Sequence, residues 1–227
     1  MQIKVAPAIM DADLGHLADA IKLVEEAGAD LLHIDIMDGH FVPSFVGCRR
    51  VAKAVKRYAS IPVDVHLMVS NPEEAVPWFL DAGVDIVLFH AEAARDAASL
   101  VERIHKAGAR AGIALKPRED VERIREAAPD LDCVMAMTVN PGFSGQKFME
   151  EGCQKIPALR RMCRKDVDVY VDGGIDHHTA QVAVSYGANV LAAASAIFAS
   201  DIAPAAAMKR LRAAAQEAAR RAESAPN

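Results

Sequence analysis

Residues 27–35 read Ala27-Gly28-Ala29-Asp30-Leu31-Leu32-His33-Ile34-Asp35, and this stretch decides the architecture. Glycine suits the left-handed position that closes a helix, and Leu31 to Asp35 is an aliphatic run of strand length. A helix that ends directly in a strand is half of a βα unit. Upstream, Leu14, Leu17, Ile21 and Val24 fall at spacings of 3, 4 and 3, which line one helix face. The same punctuation returns at Ala82-Gly83-Val84-Asp85, Ala107-Gly108-Ala109-Arg110 and Tyr186-Gly187-Ala188-Asn189.

Eight strand-like runs follow this rhythm: Ile3 to Ile9, Leu31 to Asp35, Pro62 to Leu67, Ile86 to His90, Arg110 to Leu115, Cys133 to Met137, Val167 to Asp172 and Asn189 to Ala193. Their starts lie roughly 25 residues apart, room for a strand, two loops and a crossover helix. The pattern predicts an α/β fold, a (β/α)8 TIM barrel, as a single domain over 1–227. A doubly wound open sheet would place a glycine-rich fingerprint after its first strand, whereas Ala8-Ile9-Met10-Asp11-Ala12-Asp13 has no glycine. Pro77 is expected in the first turn of its helix, after an Asn71-Pro72-Glu73 turn, and Pro157 predicts a late helix start or a kink. Ala203 to Arg221 reads as a final helix, with a frayed tail from about residue 222.

The chain of 227 residues is 52% hydrophobic and 25% charged, the balance of an ordinary globular protein. Its net charge of -5 argues against a nucleic-acid partner, which calls for a clustered basic face. Cys48, Cys133, Cys153 and Cys163 have no CxxC spacing and read as reduced thiols. No apolar run reaches the ~20 residues of a membrane helix, and no secretory leader pattern is present. A cytoplasmic protein without a membrane partner is expected.

The chemistry concentrates at strand ends. His33 and Asp35 are two apart on one run and share a side; His66 and Asp172 close the third and seventh runs. In a barrel these ends meet on the active-site face. Two histidines and two carboxylates buried together are costly without a cation, and nitrogen and oxygen donors suit a divalent metal, zinc foremost, with manganese, iron or cobalt also suited.

Loops after the late strands hold the second feature. Gly142, Phe143, Ser144 and Gly145 follow the sixth run, Gly173 and Gly174 the seventh, and Ala194 and Ser195 the eighth. Backbone N–H groups in such loops cradle phosphate, so a phosphorylated small molecule is the expected partner. Met37, Met68 and Met137 lie near the proposed ligands and are expected to wall the pocket. His90 and Glu92 are expected at the rim or behind the ligands.

Four segments resemble the ribulose-phosphate 3-epimerase family: HIDIMDGHFVP (His33 to Pro43), DVHLMVSNPE (Asp64 to Glu73), MTVNPGFSGQKF (Met137 to Phe148) and VDGGI (Val171 to Ile175). With APAIM near the start and SAIF at Ser195 to Phe198, the resemblance covers nearly the whole chain. It implies a ribulose-phosphate-binding barrel, usually a homo-oligomer, that interconverts D-ribulose 5-phosphate and D-xylulose 5-phosphate. It further implies one divalent metal on His33, Asp35, His66 and Asp172, with Asp35 and Asp172 as opposed proton-transfer groups and His66 also touching substrate.

The chain departs from the family pattern at four places. Ala8 replaces a serine, Ala194-Ser195 replaces Gly-Ser, Ser144 replaces a glycine, and the segment Ser44 to Cys48 is shorter by about one residue. The resemblance places Ala8 in the pocket lining, and these positions bear on substrate identity, so a 3-epimerase of another ketose phosphate, such as D-allulose 6-phosphate, is the alternative. A non-catalytic sugar-phosphate-binding barrel and a Schiff-base aldolase through Lys116 are weaker readings, because the two-aspartate site is intact.

Overall fold

The computed structural model describes residues 1–224. Its strands are β1 (Lys4–Pro7), β2 (Leu32–Asp38), β3 (Phe45–Val46), β4 (Val63–Met68), β5 (Ile86–His90), β6 (Arg110–Leu115), β7 (Cys133–Met137), β8 (Asp168–Asp172) and β9 (Val190–Ala193). They pair in the order β1-β9-β8-β7-β6-β5-β4-β2-β3, all parallel except the β2–β3 hairpin. A parallel bridge between Ala8 and His33 and a hydrogen bond from Asp30 N–H to Val5 O (3.0 Å) join β1 to β2. The ring thereby closes, and the expected (β/α)8 barrel is the fold.

The helices are α1 (Leu17–Glu26), α2 (Arg49–Tyr58), α3 (Pro72–Leu80), α4 (Ala97–Lys106), α5 (Ile156–Met162), α6 (Thr179–Ser185), α7 (Ser195–Phe198) and α8 (Pro204–Ser224). The helix-closing glycines Gly28, Gly83, Gly108 and Gly187 all have positive φ, between 79° and 108°. Pro157 sits in the first turn of α5, behind the 3-10 segment Glu150–Lys155, so the late start is found.

Several local expectations are corrected. The first run ends as a strand at Pro7, and Ile9–Asp11 turns into a 3-10 helix. The second continues to Asp38 because Met37 and Asp38 pair with β3, a strand too short to carry a period. Leu14 lies in a 3-10 turn before α1 and is exposed, so the core-facing side starts at the partly buried Leu17 and continues through the buried Ile21 and Val24. No α-helix crosses from β6 to β7: Val121–Ile124 and Ala128–Asp130 are 3-10 turns, and Pro129 has no N–H to continue an α-helical ladder. Pro77 lies inside α3, not in its first turn, which Pro72 occupies. The carbonyl it strands four residues back, on Glu73, accepts instead from Arg103 Nη1 at 3.0 Å. The last helix runs to Ser224, past the expected fraying at 222; residues 225–227 of that tail lie outside the described residues.

Strand alternation divides the core. One set, including Val65, Leu67, Val87, Phe89 and Ile113, packs under the helices; the other, including Leu88, Ala114, Met135 and Tyr170, fills the barrel. The N-terminal end of the barrel is closed by Asp168, which accepts from Lys4 Nζ (2.8 Å), Arg110 Nη2 (3.0 Å) and Asn189 Nδ2 (2.8 Å).

At the opposite end Asp38 ties the hairpin to the loop after β4. It accepts from Ser70 N and Oγ, both at 2.7 Å, and from the amides of His40 and Phe41 at 2.8 Å. Partial burial opposes its ionisation, but these bonds win and lower its pKa from 3.8 to about 2. A carboxylate depressed on folding stabilises fully above the unfolded pKa, and that contribution fades as pH falls through the folded one. Asp38→Ala is therefore expected to lose ~1–2 kcal/mol at neutral pH and distinctly less near pH 3. Urea titrations at both pH values check this; equal losses would refute it.

Candidate active site

β2 carries His33 and Asp35, β4 carries His66, and β8 ends in Asp172. The registers that set Asp35 beside His66 and Met137 beside Asp172 carry these side chains to one end of the barrel. One ligand atom from each of the four can be chosen so that all lie within 4.8 Å of one another. His66 Nδ1 is 3.1 Å from Asp35 Oδ1 and 3.3 Å from Asp172 Oδ2, and His33 Nε2 is 3.4 Å from Asp35 Oδ1. Both histidines are fully buried, whereas the aspartates reach a cavity of about 420 Å3.

Each imidazole is held from behind. His33 Nδ1 donates to the buried Asp64 Oδ1 at 2.5 Å, which turns Nε2 toward the aspartates. His66 Nε2 lies 2.9 Å from His90 Nε2. Burial opposes charge on His33, yet Asp64 and Asp35 raise its pKa well above the usual imidazole value. Burial also opposes charge on His66, and Asp172 and Asp35 again outweigh it. Burial raises Asp64, whereas the histidines hold Asp35 low despite its burial. Burial moves His90 the other way, down to about 4, so it is neutral at pH 7.

The donor set fits a divalent cation. His33 Nε2 is buried with no hydrogen-bond partner, and it faces two carboxylates whose charge a dication balances as two imidazolium ions would. Two imidazole nitrogens and two carboxylate oxygens match the borderline metals of the first row.

The cavity is lined by Met37, Met68 and Met137, together with Gly142, Phe143, Ser144, Gly145, Gly173, Gly174, Ala194 and Ser195. Gly173 and Gly174 have φ of 111° and 65°. Ala194 has φ of -108°, so its methyl group meets no left-handed requirement. Ala8 is placed differently: it is buried in the bridge to His33, and Met10 and Asp11 line the cavity instead. Ser144 Oγ donates to Asp11 Oδ2 and links the loops after β7 and β1 across the mouth. Lys116 is paired with Glu92 at 3.2 Å and lies over the Phe41 ring, away from the cavity lining.

Sequence reasoning missed Asp64 and Asp11. Asp64 had a signal, since it stands two before His66 on one strand and must share its side. Asp11 had none, because a 3-10 turn after the first strand gives no period.

Comparison with known proteins gives a consistent result. Residues 4–198 match the profile of the Ribulose-phosphate 3 epimerase family. Ribulose-phosphate 3-epimerase of Bacillus subtilis is 44% identical over 200 residues, covering 86% of this chain and 92% of that one. The enzyme of the same name from Methanocaldococcus jannaschii is 44% identical over 219 residues, covering 95% and 92%. Among solved structures, a 3-hexulose-6-phosphate synthase superposes with a TM-score of 0.68 at 23% identity, covering 93% of this chain and 99% of that one. An N-(5'-phosphoribosyl)anthranilate isomerase from Pyrococcus furiosus gives 0.66 at 14%, covering 95% and 100%. These two likenesses show the barrel fold.

Proposed function

Because the chain belongs to the ribulose-phosphate 3-epimerase family, we propose that it interconverts D-ribulose 5-phosphate and D-xylulose 5-phosphate by passing the C3 proton between Asp35 and Asp172. The observation that carries this reading is the pair of carboxylates from β2 and β8 at one cavity, both within 3.3 Å of the same His66 nitrogen. The proton on C3 lies next to the C2 ketone and is too weakly acidic for a lone carboxylate to remove. His33, Asp35, His66 and Asp172 would hold a divalent cation, zinc foremost, which when bound would supply the missing Lewis acidity.

The chain's own groups do the rest. One aspartate takes the C3 proton as the C–H electron pair moves toward the C2 oxygen. The other returns a proton to the opposite face, so the centre inverts. The two exchange roles when the reaction reverses. Met37, Met68 and Met137 border the site with apolar surface and keep water from competing for the carbanion-like centre. Backbone N–H groups of Gly173, Gly174, Ala194, Ser195 and the loop from Gly142 to Gly145 hold the phosphate.

The same reading takes residues 1–227 as one domain, supported by α8, whose residues Met208, Leu211 and Ala215 join the core beneath the helices. It also takes the chain as a homo-oligomer, on the strength of the family resemblance, and as cytoplasmic, on the strength of its four unpaired cysteines. No helix among the described residues is long and apolar enough to cross a membrane.

Assays of metal-loaded protein in D2O against D-ribulose 5-phosphate and D-allulose 6-phosphate test the reaction. The pentulose phosphate is expected to acquire deuterium at C3 and to be preferred by about 10-fold or more in kcat/KM, the scale on which one extra carbon is discriminated. Rapid turnover of the hexulose phosphate alone would assign the enzyme to that substrate. Exchange into neither would leave a binding barrel.

A further inference from the structure

We propose that His90 and Glu92 are positioning residues that fix the tautomer of His66 and thereby present its bare Nδ1 to the cation site. The inference rests on reading His33, Asp35, His66 and Asp172 as that site.

The argument is one of donors and acceptors. His66 Nδ1 is the ring atom that faces Asp35 and Asp172. To serve as a ligand it must carry the lone pair, so the ring proton sits on Nε2. That proton points at His90 Nε2, 2.9 Å away in a fully buried contact. Two N–H groups cannot face each other there, so His90 Nε2 is bare and its own proton is on Nδ1. His90 Nδ1 faces Glu92 Oε1 at 3.4 Å, and Glu92 is paired with Lys116 Nζ at 3.2 Å. His90 Nδ1 and both Glu92 oxygens have no conventional hydrogen-bond partner; a carboxylate anion at that distance still favours the proton on the near nitrogen.

Phe41 packs against both ends of this array. Its ring centroid is 4.8 Å from that of His90, and Lys116 Nζ is 4.1 Å from the Phe41 centroid. The relay Lys116, Glu92, His90, His66 is thus an indirect counterpart of the direct Asp64 to His33 contact. Each imidazole is oriented by a carboxylate, one of them through an intervening histidine.

Cobalt(II) binding, measured by chelator competition and by visible absorption, tests this apart from catalysis. His90→Leu removes the acceptor and is expected to weaken cobalt binding by about 10- to 100-fold with an altered spectrum. His90→Gln places an amide oxygen near the lost Nε2 and is expected to recover most of that loss. Glu92→Leu keeps both imidazoles and is expected to weaken binding by roughly 3- to 10-fold; it decides the matter if His90→Leu does not fold. Wild-type affinity and spectrum in folded His90→Leu or in Glu92→Leu would overturn the proposal, as would a folded His90→Gln no better than His90→Leu. The metal reading itself fails separately, taking the proposal with it, if wild-type protein binds no cobalt or if Asp172→Asn binds it as tightly.

Discussion

Asp35→Asn and Asp172→Asn are each expected to lower kcat by about 10³-fold or more, because each removes one of the two proposed proton-transfer groups. An amide keeps the shape of the carboxylate and one oxygen, so the barrel should stay folded and the cavity should keep its walls. The two variants are expected to differ in which substrate retains C3 exchange. If one aspartate serves the ribulose epimer and the other the xylulose epimer, each variant should still wash deuterium into one epimer slowly without converting it. Both residues also face the proposed cation site, so cobalt occupancy must be measured alongside the rate. Near-wild-type turnover in either variant with metal bound would sink the two-base assignment. Equal loss of exchange in both epimers at full occupancy would count against the division of faces.

Gly173→Ala is the second large effect, expected to act on the fold and on the proposed phosphate cradle together. Gly173 follows β8 directly and has φ of 111°, a region that a side chain rarely enters. A Cβ there would also overlap the Val139 side chain. The substitution is expected to cost ~2–4 kcal/mol of stability through backbone strain and overpacking. It should also raise KM for the phosphorylated substrate by more than it lowers kcat, since the backbone N–H groups lose their aim. Gly173→Ala with Val139→Ala makes room for the methyl group but leaves φ unchanged, so about half of the stability loss should return while KM stays high. Full recovery of both in the double variant would show that crowding alone was at fault. An unchanged KM in the single variant would remove Gly173 from the phosphate cradle.

The site was legible to different depths. His33, Asp35 and Asp172 could be placed on inward positions because strand alternation is a local property. Asp64 obeys the same rule, yet nothing local says that it meets His33 rather than a cation. That depends on the β2–β4 register, which sets His33 opposite Asp64 and Asp35 opposite His66. Asp168 and Asp172 lie on one strand and one side, but Asp168 neutralises Lys4 and Arg110 at the barrel floor. The partners that separate a structural carboxylate from one at the proposed active site come from other strands.

Alternation, glycine-closed helices and eight regular runs determined the barrel and its inward face from the sequence alone, because dihedral preferences and side-chain periods act over a few residues. The order of HIDIMDGHFVP, DVHLMVSNPE and VDGGI along the chain was likewise enough to suggest the family. Only the tertiary structure decided that Ala8 closes the ring, that Asp11 and Ser144 span the mouth, and that His90 backs His66. These contacts join residues 24 to 133 positions apart; they follow from strand register and closure of the barrel, which the whole packed chain fixes at once.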